Sequence, residues 1–233
     1  MKTELVVALD EADVDRAIDI VRRTSALVQW YKVGYEAYYG YGDRIVNVLR
    51  DAGKSLFLDL KLHDIPTTVA AGVRAASRAG ARLVTVHAAG GAAMLSAAAD
   101  ARDESSAGTL RLIAVTVLTS MTAEELHETG VEGAPEEIVA ARARLAARCT
   151  IDGVVCAVPE VSAVRATTSK DFIILCPGIR PAGSDAADQR RVATPTAAAR
   201  AGVNFIVVGR PIAQAADPAA AAAAIVEELN APV

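Results

Sequence analysis

Short apolar, β-branched runs recur along the chain at intervals of roughly 20 to 40 residues, with segments of helical periodicity between them. Eight such runs predict strands, at positions 5–10, 28–34, 55–61, 83–87, 110–118, 153–158, 172–177 and 205–210. Most are apolar throughout rather than alternating, which is the pattern of strands buried on both faces in a parallel sheet covered by helices. Between them, Ile65-Pro66-Thr67-Thr68 opens a helix running toward Gly80, with Pro66 suited to the first helical position. Pro135-Glu136-Glu137 opens another, with its acids at the start and Arg142, Arg144 and Arg148 further on, as the helix dipole favours. Asp217 before Pro218 is placed to cap the last helix, and the alanines at 219–224 fill it. No linker, low-complexity spacer or compositional break interrupts positions 1–233, so the pattern predicts one α/β domain, a closed (β/α)8 barrel. A doubly wound open sheet is the alternative. It would usually carry a Gly-rich phosphate turn after its first strand, where this chain has Asp10-Glu11-Ala12-Asp13.

Composition narrows the function classes. With 24 Lys and Arg against 28 Asp and Glu, the formal charge of the 233-residue chain is −4, and no basic run marks a nucleic-acid partner. No stretch approaches the ~18 uninterrupted apolar residues of a membrane span. The N-terminal Met1-Lys2-Thr3-Glu4 leads directly into the first strand, which leaves no place for a signal peptide. Cys149, Cys156 and Cys176 form no C-x-x-C pair and read as buried thiols of a cytoplasmic protein. No His/Cys/carboxylate spacing suggests zinc, and neither a Walker motif nor G-x-S-x-G is present.

In a parallel barrel, chemistry gathers where the strands end. Here the endings are polar: Asp10 on the first strand, Lys32 on the second, Asp59-Leu60-Lys61-Leu62-His63-Asp64 on the third, His87 on the fourth, Thr119-Ser120 beyond the fifth and Gly209-Arg210 on the eighth. Asp59 and Lys61 stand two apart, so they share a face, while Leu58, Leu60 and Leu62 point toward the helix layer. Two inward charges near a barrel axis are costly unless paired. They read either as an ion pair that closes the barrel or as catalytic groups. Asp64 reads as a helix-capping carboxylate or a third member, Lys32 as a snorkelling surface lysine or part of the site, and Asp10 as a helix cap or part of the site. Taken together they form an alternating array of acids and lysines.

A second cluster has the character of an anion site. Gly209-Arg210 ends the eighth run and Pro177-Gly178-Ile179-Arg180 the seventh, and the loops after these two strands commonly hold phosphate in such barrels. Gly209 allows close backbone approach, and Arg210 offers a fork of donors. The polar stretch from Arg180 to Arg191 reads as a lid, in which Gln189 is either a phosphate contact or an ordinary loop residue. His87 reads as a wall of the pocket, His63 as structural and His127 as exposed helix.

The block Asp59-Leu60-Lys61-Leu62-His63-Asp64-Ile65-Pro66-Thr67-Thr68 closely resembles the signature of the orotidine 5′-phosphate decarboxylase family. The resemblance extends over essentially the whole chain. It includes Val7-Ala8-Leu9-Asp10, Lys32-Val33-Gly34, Val86-His87-Ala88-Ala89-Gly90-Gly91, Val117-Leu118-Thr119-Ser120, Pro177-Gly178-Ile179-Arg180, Asp188-Gln189 with Arg191-Val192-Ala193-Thr194-Pro195, and Val207-Val208-Gly209-Arg210. It implies a (β/α)8 barrel that works as a homodimer without metal or organic cofactor and converts orotidine 5′-monophosphate to uridine 5′-monophosphate and CO2. By matching position, it implies Lys61 as proton donor and Asp59 beside the substrate carboxylate. Lys32 and Asp64 complete the charged array, and Asp64 reaches into the partner subunit's site with Ile65 and Thr68. Asp10 and Lys32 hold the ribose, and Thr119, or the adjacent Ser120, meets the pyrimidine. Arg180 lines the site, and Gln189, Gly209 and Arg210 bind phosphate. Positions 181–188, the lid, are the least family-like stretch. A sugar-phosphate decarboxylase or aldolase of the same superfamily also carries Asp-x-Lys-x-x-Asp, but it resembles this chain less and places a magnesium-holding acid where Lys32 stands. A catalytically silent barrel that binds nucleotides or a partner protein would be expected to lose one of Asp59, Lys61 and Asp64, all of which are present.

Overall fold

The computed structural model describes residues 2–106, 108–181 and 192–231. All eight expected strands form: β1 (Glu4–Ala8), β2 (Trp30–Val33), β3 (Ser55–Leu62), β4 (Ala81–His87), β5 (Arg111–Val115), β6 (Gly153–Val155), β7 (Ile173–Cys176) and β8 (Phe205–Val208). The helices among the described residues are α1 (Val14–Thr24), α2 (Tyr35–Asp51), α3 (Pro66–Arg78), α4 (Gly91–Ser106), α5 (Ala123–Glu128), α6 (Pro135–Arg148), α7 (Val161–Arg165), α8 (Pro195–Arg200), α9 (Arg210–Ala213) and α10 (Pro218–Asn230). The strands pair in chain order and in parallel, and β8 returns to β1 with Glu4 beside Phe205 and Val7 beside Val208. That last pairing excludes the open-sheet alternative, which would leave two edges unpaired.

Strand alternation divides the apolar residues into two cores. Leu5, Val7 and Leu9 of the first run face outward with Leu58, Val84 and Ile206, packed under the helices. Val6, Ala8, Phe57, Leu83, Ile113, Val115, Val155, Leu175, Phe205 and Val207 fill the barrel interior. Trp30 and Phe205 meet edge to face at 5.1 Å at the strand starts, where the Trp30 indole donates to Glu4 Oε2 at 3.0 Å. The interior is therefore solid below, and the next inward positions toward the strand ends, two residues on from Ala8, Trp30, Phe57 and Leu83, are Asp10, Lys32, Asp59 and Thr85. The polar site is the layer above the apolar plug.

The helix signals hold locally. Pro66, Pro135 and Pro218 each begin a helix, and the Asp217 carboxylate accepts from the Ala219 and Ala220 N–H groups. The cap of α1 is Asp13, whose carboxylate accepts from Asp15 N–H at 2.8 Å, so Asp10 is released for the site. All three cysteines are buried free thiols. Among the described residues no helix is long and apolar enough to cross a membrane. Asp217→Ala is expected to lower unfolding free energy by about 1 kcal/mol, as loss of a helix cap typically does. Urea denaturation checks it, and an unchanged midpoint would mean that α10 does not depend on this cap.

Candidate active site

The C-terminal ends of the strands open into a cavity of about 490 Å³ that takes in Asp10, Lys32, Asp59, Lys61, Thr119, Ser120, Arg180, Gly209 and Arg210. The structure thus gathers residues from six separate strand ends. Along one wall, charges alternate. Lys32 Nζ lies 2.9 Å from Asp10 Oδ1 and 3.5 Å from Asp59 Oδ2, and Lys61 Nζ lies 2.9 Å from Asp59 Oδ1. Adjacent strands present these groups side by side because β1, β2 and β3 pair in register, with Ala8 beside Lys32 and Lys32 beside Phe57.

Electrostatics favours keeping Lys32 and Asp59 charged. Burial by itself would drive the Lys32 proton off, but Asp59 and then Asp10 outweigh it and hold the ammonium above the ordinary lysine range. Burial would likewise neutralise Asp59, yet Lys32 and Lys61 reverse that and hold its carboxyl below the usual carboxylate range. The depressed Asp59 contributes stability above the unfolded carboxyl value, which is lost as pH falls through the folded one. The raised Lys32 contributes stability below the unfolded lysine value, which is lost as pH rises through the folded one. Between those limits the array is intact.

Lys61 sits in β3 with a left-handed backbone, φ +43°. For a residue with a side chain this conformation costs on the order of 1–3 kcal/mol and persists only where surrounding contacts hold it. Simple alternation does place Asp59 inward and the leucines outward, but Lys61 reaches the cavity from an irregularity in the strand rather than from a regular pleat. Tyr35, at the start of α2, supports it from the side. Its ring centroid is 5.5 Å from Lys61 Nζ, and its hydroxyl donates to Leu60 O at 2.9 Å. Neither Tyr35 nor Thr85 was among the sequence-based candidates. Thr85 had a visible signal, being a lone hydroxyl in the apolar run Leu83-Val84-Thr85-Val86, whereas Tyr35 reads as an ordinary helix residue.

Not every expected residue lines this cavity. Asp64, Ile65 and Thr68 are exposed at the β3–α3 junction, and the Asp64 carboxylate accepts from Ile65 N–H at 2.6 Å rather than joining the array within its own chain. His87 is not a wall of the pocket. Its Nδ1 accepts from Ala89 N–H at 3.2 Å and its ring stacks on His63 at 4.9 Å. Burial, with His63, Arg142 and Lys61 nearby, pushes its pKa down to about 4, so it is neutral at pH 7. Arg180 is buried against the cavity, its guanidinium donating to Ile179 O at 3.0 Å. Gly209 precedes α9, and a Cβ there would lie 3.5 Å from the Ala8 Cβ, an ordinary contact, so space around the Cβ does not by itself demand glycine. Gln189 and positions 182–188 of the expected lid lie outside the described residues.

A closed parallel barrel with a lysine–carboxylate array above an apolar plug, and Arg180 and Arg210 lining the same cavity, has the architecture of a barrel enzyme. Residues 3–225 match the model of the Orotidine 5′-phosphate decarboxylase / HUMPS family. The chain is 47% identical to orotidine 5′-phosphate decarboxylase of Methylobacterium sp. (strain 4-46), over 98% of this chain and 96% of that one. It is 46% identical to the protein of the same name from Moorella thermoacetica, over 98% and 93%. The crystal structure of orotidine 5′-phosphate decarboxylase from Lactobacillus acidophilus superimposes with a TM-score of 0.86 at 37% identity, covering 98% of this chain and all of that one. The chain belongs to the orotidine 5′-phosphate decarboxylase / HUMPS family, and it is an enzyme of the carboxy-lyase kind.

Asp59→Asn should leave Lys32 buried with only Asp10 to oppose desolvation, so the Lys32 ammonium should lose its proton at lower pH than in the wild type. A ¹³Cε-lysine NMR titration reads this directly, and an unmoved Lys32 midpoint would show that Asp59 does not sustain its charge.

Proposed function

We propose that the chain decarboxylates orotidine 5′-monophosphate to uridine 5′-monophosphate and CO2, the last step of de novo UMP synthesis, in the cytoplasm and without metal or coenzyme. The observation that carries this reading is the Lys61 ammonium, 2.9 Å from Asp59 at the edge of the cavity. Breaking the C6–carboxylate bond leaves its electron pair on a vinylic carbon with no adjacent carbonyl to spread it. The site must then stabilise charge where it develops, with groups already in place. Lys61 does so as a cation and then transfers an Nζ proton to C6. Asp59, set beside the substrate carboxylate, and Lys32 keep the array charged through the step. The carboxylates that a divalent ion would need are already engaged by ammonium groups, which supports a metal-independent route.

Asp10 and Lys32 are assigned to the ribose, Thr119 or its neighbour Ser120 to the pyrimidine, Arg180 to the substrate wall, and Gln189, Gly209 and Arg210 to the phosphate. Phosphate contacts remote from C6 would express their binding energy in the chemical step. The enzyme works as a homodimer in which Asp64, Ile65 and Thr68 complete the site of the partner. The support is their exposure outside their own cavity, Ile65 being an apolar side chain that is 64% exposed.

Loss of orotidylate ultraviolet absorbance on adding purified protein tests the reaction, and EDTA is expected to leave the rate unchanged. A chelator-sensitive rate would favour the magnesium-dependent relatives. Lys61→Ala is expected to abolish nearly all turnover while circular dichroism stays native, and substantial residual activity would remove Lys61 as proton donor. Lys61→Ala and Asp64→Ala proteins, each inactive alone, should recover part of the activity when mixed, because a hybrid dimer contains one intact site. No recovery after demonstrated subunit exchange would rule out the shared site.

A further inference from the structure

We propose that Thr85 is a positioning residue of the reaction, one hydroxyl that sets both the backbone of Lys61 and the rotation of the Asp59 carboxylate. The inference rests on the decarboxylase reading above and goes beyond it in naming a group that does not touch substrate.

Three observations carry it. First, β3 and β4 fall out of register at this point. Leu58 lies beside Val84 and Leu62 beside Val86, so four steps of β3 span two of β4, and the surplus residues are those that hold Asp59 and Lys61. A bulge of this kind leaves main-chain groups without ladder partners. The Lys61 N–H instead donates to Thr85 Oγ1 at 2.8 Å. Second, the same Oγ1 donates to Asp59 Oδ1 at 3.0 Å. Oδ1 then faces Lys61 and Thr85 while Oδ2 is left toward Lys32 at 3.5 Å, so the threonine decides which oxygen serves which ammonium. Third, Thr85 is wholly buried, on the inner face of β4 two residues after Leu83. Water cannot replace its bonds from the outside, and both donor and acceptor capacity of the hydroxyl are used.

The left-handed Lys61 backbone makes the arrangement consequential. A strained residue with one fewer restraint relaxes toward the pleat, and the displacement at the end of a lysine side chain is larger than at its backbone. Misplacement of about 1 Å can cost on the order of 100-fold in rate. Ground-state binding through the ribose and phosphate contacts is unaffected, so the effect belongs to kcat.

The test is Thr85→Val, which keeps the shape and removes the hydroxyl, beside Thr85→Ser, which restores it. The valine variant is expected to lose about 10- to 100-fold in kcat with KM within about threefold, and the serine variant to stay within about threefold of wild type in both. Wild-type kcat in the valine variant, a loss confined to KM, or a serine variant as impaired as valine would each overturn the proposal. If the valine variant does not fold, Thr85→Ala against Thr85→Ser gives the same comparison. A crystal structure of the hydroxyl-less variant reads positioning independently of turnover. Lys61 should leave the left-handed region or its ammonium should part from Asp59, and an unchanged geometry would overturn the proposal. Absence of activity in the wild type would overturn the decarboxylase reading alone, since the structural comparison still decides the role of Thr85.

Discussion

The site depends on one buried carboxylate. Asp59 lies inside the barrel, where an unpaired charge would cost several kcal/mol, and it is held ionised by ammonium groups on either side. Those ammonium groups depend on it in return, Lys32 most of all, because it is the more deeply buried. The four groups Asp10, Lys32, Asp59 and Lys61 are therefore a unit. Removing Asp59 leaves Lys32 buried with Asp10 alone and takes the carboxylate partner from Lys61, and breaking such a pair from one side is more damaging than never having had it. A unit of this kind is also preorganised: its charges are already oriented by fixed partners.

The barrel meets that demand by stacking layers. Below the array, Ala8, Phe57, Leu83, Val115 and their neighbours exclude water and lower the local dielectric, which strengthens each interaction above them. The closed ladder from β1 through β8 fixes adjacent strand ends at sheet spacing, which brings the charges within contact distance. The helix layer outside is conventional packing, and the charged array lies at the end where the strand register allows polar side chains to converge.

A departure from regular structure lies at Lys61. Between Leu58 and Leu62 the third strand abandons its register with the fourth, and Lys61 takes a backbone conformation that a side chain disfavours. Strain is tolerated where several contacts overdetermine a position. Here they are the Asp59 ion pair, the Thr85 hydroxyl and the flanking Tyr35 ring, two of which come from other elements of the fold.

The eight strands, the helix starts at Pro66, Pro135 and Pro218, and the inward face of Asp59 were all legible in the chain. Hydrophobic periods and capping residues are local properties that act over a few positions. The same holds for the motif of alternating acids and lysines at the third strand, whose spacing carried the family resemblance. Tertiary structure alone decided the rest. It gave the first helix cap to Asp13 and freed Asp10, turned Asp64 out of its own cavity, removed His87 from the pocket wall, and linked Thr85 to residues 24 and 26 positions earlier. The Thr85 links depend on which strands close against which and on a register shift between two of them, and no short window of sequence contains the energy of contacts between distant strands.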